Sequence, residues 1–289
     1  MGKLLIIADI DNACFATPRG LELAAKLGHG AEVVAFTYVT LKRLGLKASE
    51  QPAIKKRLIE ERQAEVQARI DKYCTAGQKV TLKVVWSEDI ATWIAKRCAA
   101  ASYVAVVKTG HRSESLMYTS TDWQLLRELS TPVLIVAEKK WHRTKPVLAA
   151  LDLSSKSAAK QVLNKRVLAT ARAWSDALGA ELKIISAIEV PTLLADLDLV
   201  DPLAYVAAAK DSMKPHIRAL AAGEDLPEQL FRSKRGPVAK VITSDAAKVR
   251  AQLVVMGTVG RKGVQARLLG NTAESVLRHL NTDVLAIKP

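Results

Sequence analysis

The run Val254-Val255-Met256-Gly257-Thr258-Val259-Gly260-Arg261-Lys262-Gly263, followed by Leu268-Leu269-Gly270-Asn271-Thr272-Ala273-Glu274, carries the residue types needed to hold an anion. An apolar strand ends at Gly257, and a glycine-bearing loop leads from it to a helix that starts near Asn271 or Thr272. Glycine lets the backbone approach a ligand closely. The unpaired N–H groups at a helix start point at negative charge. Asn271 or Thr272 can cap that helix, with Glu274 near the first turn. Arg261 and Lys262 add positive charge. The chemistry would be non-covalent capture of a phosphate at the carboxyl ends of strands, where open α/β sheets bind ligands. The same residues also spell a plain strand–loop–helix turn that uses glycine for geometry. On the residues alone the two readings stand level.

Chemistry of other kinds has less to build on. The histidines His29, His111, His142, His216 and His279 lack a Cys, Asp or Glu partner at ligand spacing, so no metal site is expected. There is no Gly-x-Ser-x-Gly elbow and no Ser-His-Asp pattern. Cys14, Cys74 and Cys98 are odd in number and form no metal spacing, as expected of reduced thiols in a cytosol. Asp196, Asp198 and Asp201 form an acidic cluster, but Asp201 directly before Pro202 reads as a helix start. Trp86 and Trp123 read as packing residues.

Positioning the loop takes a sheet, and the pattern supplies one in each half. Short apolar runs alternate with longer helical periods, the signature of an α/β fold with a parallel sheet and crossover helices. The first half predicts strands at Leu4–Asp9, Ala31–Tyr38, Thr81–Trp86, Tyr103–Lys108 and Pro132–Ala137. A long helix over Ser49–Ala76 has Ile54, Leu58, Val66, Ile70 and Tyr73 spaced for one apolar face. The second half predicts strands at Val147–Asp152, Glu181–Ala187, Gln229–Ser233, Leu253–Gly257 and Val284–Lys288. Pro215 is expected to kink or divide a helix over Ala204–Ala222. The last helix, Thr272–Leu280, carries Ala273, Val276, Leu277 and Leu280 on one stripe.

The order is the same twice. Asp9 after Leu5-Ile6-Ile7-Ala8 corresponds to Asp152 after Leu148-Ala149-Ala150-Leu151, and Leu126–Leu134 lies over Leu277–Leu285 at an offset of 151. The expected organisation is two units in tandem, residues 1–140 and 144–289, with the polar stretch Glu138–Lys145 as linker.

The spacing Gly257-x2-Gly260-x9-Gly270, followed by a small polar residue, resembles the nucleotide-binding motif of the universal stress protein family. The wording Gly-Thr-Val-Gly-Arg at 257–261 and Gly-Asn-Thr-Ala-Glu at 270–274 is similar to its tandem, E-type members. Lys83-Val84-Val85-Trp86, Thr121–Leu126 and Asp201–Tyr205 extend the resemblance over nearly the whole chain. It implies two tandem domains, each with a five-stranded parallel sheet of the Rossmann-like, adenine nucleotide alpha hydrolase-like type, and a cytoplasmic stress-response role. It also implies ATP or another adenine nucleotide, with Mg²⁺, as the ligand of the second half.

Residue by residue, Asp152 matches the aspartate that ends the first strand beside the nucleotide in ATP-binding relatives. Gly257, Gly260 and Gly270 match the motif glycines, and Thr258 and Arg261 lie within the motif. Asn271 stands where those relatives usually carry Ser or Thr: it keeps an acceptor and donors but lacks the hydroxyl, which Thr272 offers one residue on. In the first half the same offset puts Thr119 at Gly270 and Ser120 at Asn271, and the loop Lys108–Arg112 keeps only Gly110. No nucleotide is expected there, and Asp9 and Asp11 read as strand-end carboxylates. The resemblance also implies that family members with one unit per chain dimerise through their last strand. The resemblance therefore implies that Pro132–Val136 and Val284–Ile287 lie side by side, antiparallel, with any homo-oligomer formed through or beyond that pseudo-dimer.

The net charge of +14 is spread evenly, with 22 Lys+Arg against 15 Asp+Glu through Arg143 and 21 against 14 after it. A basic arm for nucleic acid is therefore not expected, and 4% aromatics leave little surface for stacking bases. Duplex DNA should bind weakly and be lost by about 200 mM salt, since counterion release would be the whole effect. No apolar run approaches the roughly 20 residues of a membrane span. Asp9 falls where a secretory leader must be apolar.

Three functions fit these residues. The leading one is a regulatory protein that senses an adenine nucleotide through its second half, since no general base stands near the loop apart from Asp152. The second is a slow ATP hydrolase in which Arg261 and Mg²⁺ stabilise phosphate charge. The third is a nucleotide-free interaction scaffold.

Overall fold

The computed structural model describes residues 2–10, 14–41, 47–110, 120–139, 141, 143–191, 193, 199–258 and 270–289, and of residues 120, 271 and 272 the backbone only. The chain divides into two units, Met1–Lys139 and Lys140–Pro289.

The first unit runs β1 (Lys3–Ala8), α1 (Ala16–Lys26), β2 (Gly30–Thr37), α2 (Gln51–Tyr73), β3 (Val80–Trp86), α3 (Ile90–Ala100), β4 (Ala105–Thr109), α4 (Ser120–Glu128) and β5 (Val133–Val136). Its strands lie in the order β3-β2-β1-β4-β5, all parallel. Apart from the first residue of β1 and the last of β2, β1, β2 and β4 are buried along their length, as strands covered on both faces must be. Edge strand β3 alternates between half-buried and exposed positions over most of its length. Helix α2 buries only the row Arg62, Val66 and Ile70. The expected apolar face is thus narrower than its spacing allowed: Ile54 and Leu58 are half-buried, and Tyr73 is 42% exposed. The buried row advances four residues at a time and next reaches Cys74, which leaves Tyr73 off the stripe.

At the amino end of β2, buried Glu32 accepts from Arg97 at 2.9 and 2.7 Å and from the Tyr103 hydroxyl at 2.8 Å. Burial pushes the carboxyl pKa up, but the Arg97 and Tyr103 hydrogen bonds outweigh it and hold Glu32 below its ordinary value of 4.5. A depressed carboxyl stabilises the fold above its unfolded pKa and loses that contribution as pH falls through the folded value. Glu32→Gln is therefore expected to cost about 1–2 kcal/mol at neutral pH. In denaturant titrations at a series of pH values, the gap from wild type should stay constant above pH 5 and close below about pH 4.5. A gap that persists undiminished at pH 3 would show that the charge of Glu32 is irrelevant.

The second unit runs β6 (Val147–Ala150), α5 (Ala158–Leu178), β7 (Leu182–Ile188), α6 (Pro202–Glu224), β8 (Phe231–Arg235), α7 (Val238–Lys248), β9 (Leu253–Gly257), α8 (Asn271–His279) and β10 (Asp283–Ile287). The parallel strands lie in the order β8-β7-β6-β9-β10, the arrangement of the first unit repeated. All ten expected strands are present in the two units, with ends displaced by two residues at most.

As expected, Asp201 caps α6, its Oδ1 accepting from Leu203 N at 2.8 Å. Pro215 does not divide α6, which runs through it as one element. Ala273, Val276, Leu277 and Leu280 are buried along one stripe. Fully buried Asp245 on α7 accepts from Arg232 at 2.7 Å and from Lys234, which ties that helix to edge strand β8. Among the described residues no helix is long and apolar enough to cross a membrane.

Candidate functional site: a cleft at the carboxyl ends of β6, β7 and β9

The order β8-β7-β6-β9 makes β6 the point where the strand order reverses: the chain builds outward from β6 to β8 and then returns to the other side of β6 at β9. At such a reversal the connections diverge and open a crevice beyond the carboxyl ends of the strands, the ligand position of open α/β sheets. A cleft of about 500 Å³ lies there, within the common range for small-molecule sites.

Asp152 stands on its wall, two residues beyond β6. Buried Asn164 on α5 grips the aspartate backbone from both sides: Nδ2 donates to Asp152 O at 2.8 Å, and Oδ1 accepts from Asp152 N at 3.0 Å. The amide of Leu153 donates to Ser186 Oγ on β7 at 3.3 Å, which roots the turn on the neighbouring strand. With its backbone fixed, the carboxylate accepts from Ser154 Oγ on Oδ1 at 3.0 Å and from Lys160 Nζ on Oδ2 at 2.7 Å. The two charged side chains remain 44% and 39% exposed, so the pair faces the cleft and water together.

Gly257 and Gly270 lie on the cleft wall with Asp152. Their roles differ. A Cβ on Gly257 would stand 2.5 Å from Leu163 Cδ2 and 2.8 Å from its Cγ, so this glycine admits helix α5 onto β9. Gly270 occupies the N-cap position of α8 with φ −65° and ψ 141°. The expected cap, Asn271 or Thr272, is displaced into the first turn, because α8 already begins at Asn271. Thr258 is buried beside the end of β10: its N donates to Ile287 O at 2.7 Å and its hydroxyl to the same oxygen at 3.3 Å. Gly260 and Arg261 lie outside the described residues, as do Asp11, His111, Thr119, His142, Asp196, Asp198 and Lys262.

Sequence reasoning missed Lys160, Asn164 and Glu189. The Glu189 carboxylate lines the cleft and accepts from Val238 N at the start of α7 at 3.2 Å. A signal for Asn164 existed, since a buried amide on the apolar stripe of α5 must find backbone partners.

In the first unit the described side chains at the corresponding place bond to one another and to the end of β1. Leu4 stands across from Ala105 as Val147 stands across from Leu253, so Thr109 occupies the step that Gly257 occupies in the second unit. The strand step thus lies at an offset of 148, while the helices that follow, starting at Ser120 and Asn271, keep the offset of 151. The amide of Gly110 donates to Val136 O just as that of Thr258 donates to Ile287 O. Thr109 Oγ1 donates to Asp9 Oδ2 and accepts from the amides of Ala16 at 2.9 Å and Phe15 at 3.2 Å, closing the gap between β1, β4 and the start of α1. Arg62 covers the end of β1, donating to Asp9 O at 2.6 Å, Ala8 O at 3.2 Å and Ile10 O at 3.3 Å. Beneath them Lys108 and Asp122 form an ion pair at 2.7 Å with side chains 7% and 0% exposed.

Comparison with known proteins agrees on one family. The family model described as "Universal stress protein family" matches residues 143–288. The chain is 31% identical over 250 residues to Universal stress protein E of Salmonella typhi, covering 84% of this chain and 79% of that protein. It is 30% identical to Universal stress protein E of Escherichia coli K12 over the same shares. Its fold is similar to a putative universal stress protein from Pseudomonas aeruginosa UCBPP-PA14, with a TM-score of 0.72, 23% identity, and 99% and 93% of the two chains covered. A universal stress protein from Archaeoglobus fulgidus DSM 4304 follows, with a TM-score of 0.69, 20% identity, and 99% and 98% covered.

Proposed function

This chain belongs to the universal stress protein family, and on that premise we propose that it is a cytoplasmic stress-response regulator whose second unit holds an adenine nucleotide in the Asp152 cleft. The observation that carries the reading is the convergence of Asp152, Gly257 and Gly270 on one opening of nucleotide-site dimensions at the carboxyl edge of a parallel sheet. Asp152 would accept from hydroxyl or amino groups of the nucleoside. The phosphates would meet the start of α8, where the first N–H groups have no partner within the helix. In this reading Gly260, Arg261, Asn271 and Thr272 complete the phosphate cradle.

Magnesium would be held chiefly by phosphate oxygens, since the described residues contain no group of three or more His, Cys, Asp or Glu placed to hold a metal. Its contribution when bound is to neutralise phosphate charge. The chain's own contribution is a fixed carboxylate and a helix start.

Denaturing the purified chain should release an adenine nucleotide, identified by mass spectrometry at one per chain, because the described side chains at the first unit's corresponding place bond to one another. Absence of nucleotide from the purified chain, together with no binding of ATP, ADP or AMP by calorimetry, would remove the reading. Steady release of ADP from ATP would move the protein to the hydrolase class.

A further inference from the structure

We infer that Lys160 is the residue through which this cleft distinguishes ligands by charge. The inference rests on the nucleotide reading above and adds a specificity determinant outside the glycine motif. Lys160 lines the cleft, and its polar partner among the described residues is Asp152 Oδ2 at 2.7 Å. Asp152 in turn uses one contact on each oxygen, from Ser154 on Oδ1 and from Lys160 on Oδ2. A carboxylate offers about four acceptor positions. A ligand's hydroxyl or amino group can therefore dock on Asp152 without expelling the ammonium, which stays in the cleft.

Among the described lining residues, the balance of charge depends on that ammonium. The charged groups among the described lining residues are Asp152, Glu189 and Lys160. With Lys160 present, its charge offsets one of the two carboxylates. Without it, neither carboxylate has a cation beside it among the described lining residues. Glu189 is engaged by the Val238 amide, which moderates its field and leaves its charge in place. The loss on removing Lys160 must then grow with the negative charge of the ligand. It should be small for a neutral nucleoside that uses only Asp152 and the apolar wall. Lysine suits the task, since four methylenes let the ammonium pass from Asp152 to a phosphate oxygen.

The test is calorimetry on the full chain with adenosine, AMP and ATP, for wild type, Lys160→Gln and Lys160→Arg. Lys160→Gln should weaken ATP about tenfold, AMP less, and adenosine by no more than about twofold. Lys160→Arg should keep ATP within about threefold of wild type, because the charge is retained. Raising the salt should narrow the ATP difference between wild type and Lys160→Gln. Equal losses for adenosine and ATP would overturn the inference and leave Lys160 as a support for Asp152. So would ATP binding that Lys160→Gln leaves unchanged. If wild type binds none of the three ligands, the nucleotide reading falls and takes the inference with it, a result distinct from either of the others.

Discussion

Gly270→Val is expected to abolish nucleotide binding while the protein stays folded. The backbone at Gly270, φ −65° and ψ 141°, is open to any residue, so valine meets no conformational strain there. Its cost as a poor N-cap is about 1 kcal/mol. The new isopropyl group would stand at the start of α8, where the phosphates are proposed to meet backbone N–H groups, and a fall in affinity of at least about 100-fold is expected. Calorimetry with ATP reads the affinity, and a thermal melt reads the fold. Gly110→Val in the first unit should leave binding unchanged. Equal ATP affinity in wild type and Gly270→Val would sink the assignment. Gly257 is unsuitable for this test despite lying on the same wall. A side chain there runs into Leu163 at 2.5 Å, and overpacking of that kind costs about 1–3 kcal/mol on its own.

The largest loss of stability is expected from Asp122→Ala in the first unit. The carboxylate is fully buried and stands 2.7 Å from Lys108 Nζ, which also donates to the Thr109 carbonyl at 3.0 Å. Removing one member of a buried pair strands the other's charge, which costs about 3–5 kcal/mol. That is a large share of the roughly 5–15 kcal/mol that holds a domain folded. Replacing both members together, Lys108→Met with Asp122→Leu, should recover most of the loss, because neither member of the pair is then left without the other. Chemical denaturation followed by the fluorescence of Trp86, Trp93 and Trp123 reports on this unit. A double variant no more stable than Asp122→Ala would show that the pair contributes through something other than mutual compensation.

The strands were legible because burial on both faces leaves a continuous apolar run with turn residues at its ends, as at Leu4–Ala8 and Leu253–Gly257. The cap at Asp201 was legible because Asp before Pro is a local signal. What escaped the sequence depends on contacts between distant elements. Lys160 meets Asp152 only because the chain reverses from strand into helix between them, and Asn164 reaches back across the same turn. No local pattern in α2 marks Arg62, which the topology sets over the end of β1. Gly257 looked like a ligand glycine. Its neighbour Leu163 lies nearly a hundred residues earlier in the chain, and no local pattern announces the contact. The register of Thr109 on Gly257 was hidden because the spacing between strands differs in the two halves. A constant offset cannot carry such a difference.

The exchange of Thr109 for Gly257 has a consequence for how the two halves can change over time. Where α1 crosses the sheet, the small partner is on the helix: a Cβ on Gly20 would stand 2.7 Å from Ile6 Cδ1 of β1. Where α5 crosses, the small partner is on the strand, with Leu163 over Gly257. Bulk and absence of bulk sit on opposite sides of an otherwise shared architecture. Recombination that copied one half's strand or helix into the other would bring two large side chains together or leave a hole, and either result destabilises a core. Hybrid genes of that kind would be eliminated by selection for folding alone. The two halves are thereby kept from blending, and each is left to accumulate its own substitutions.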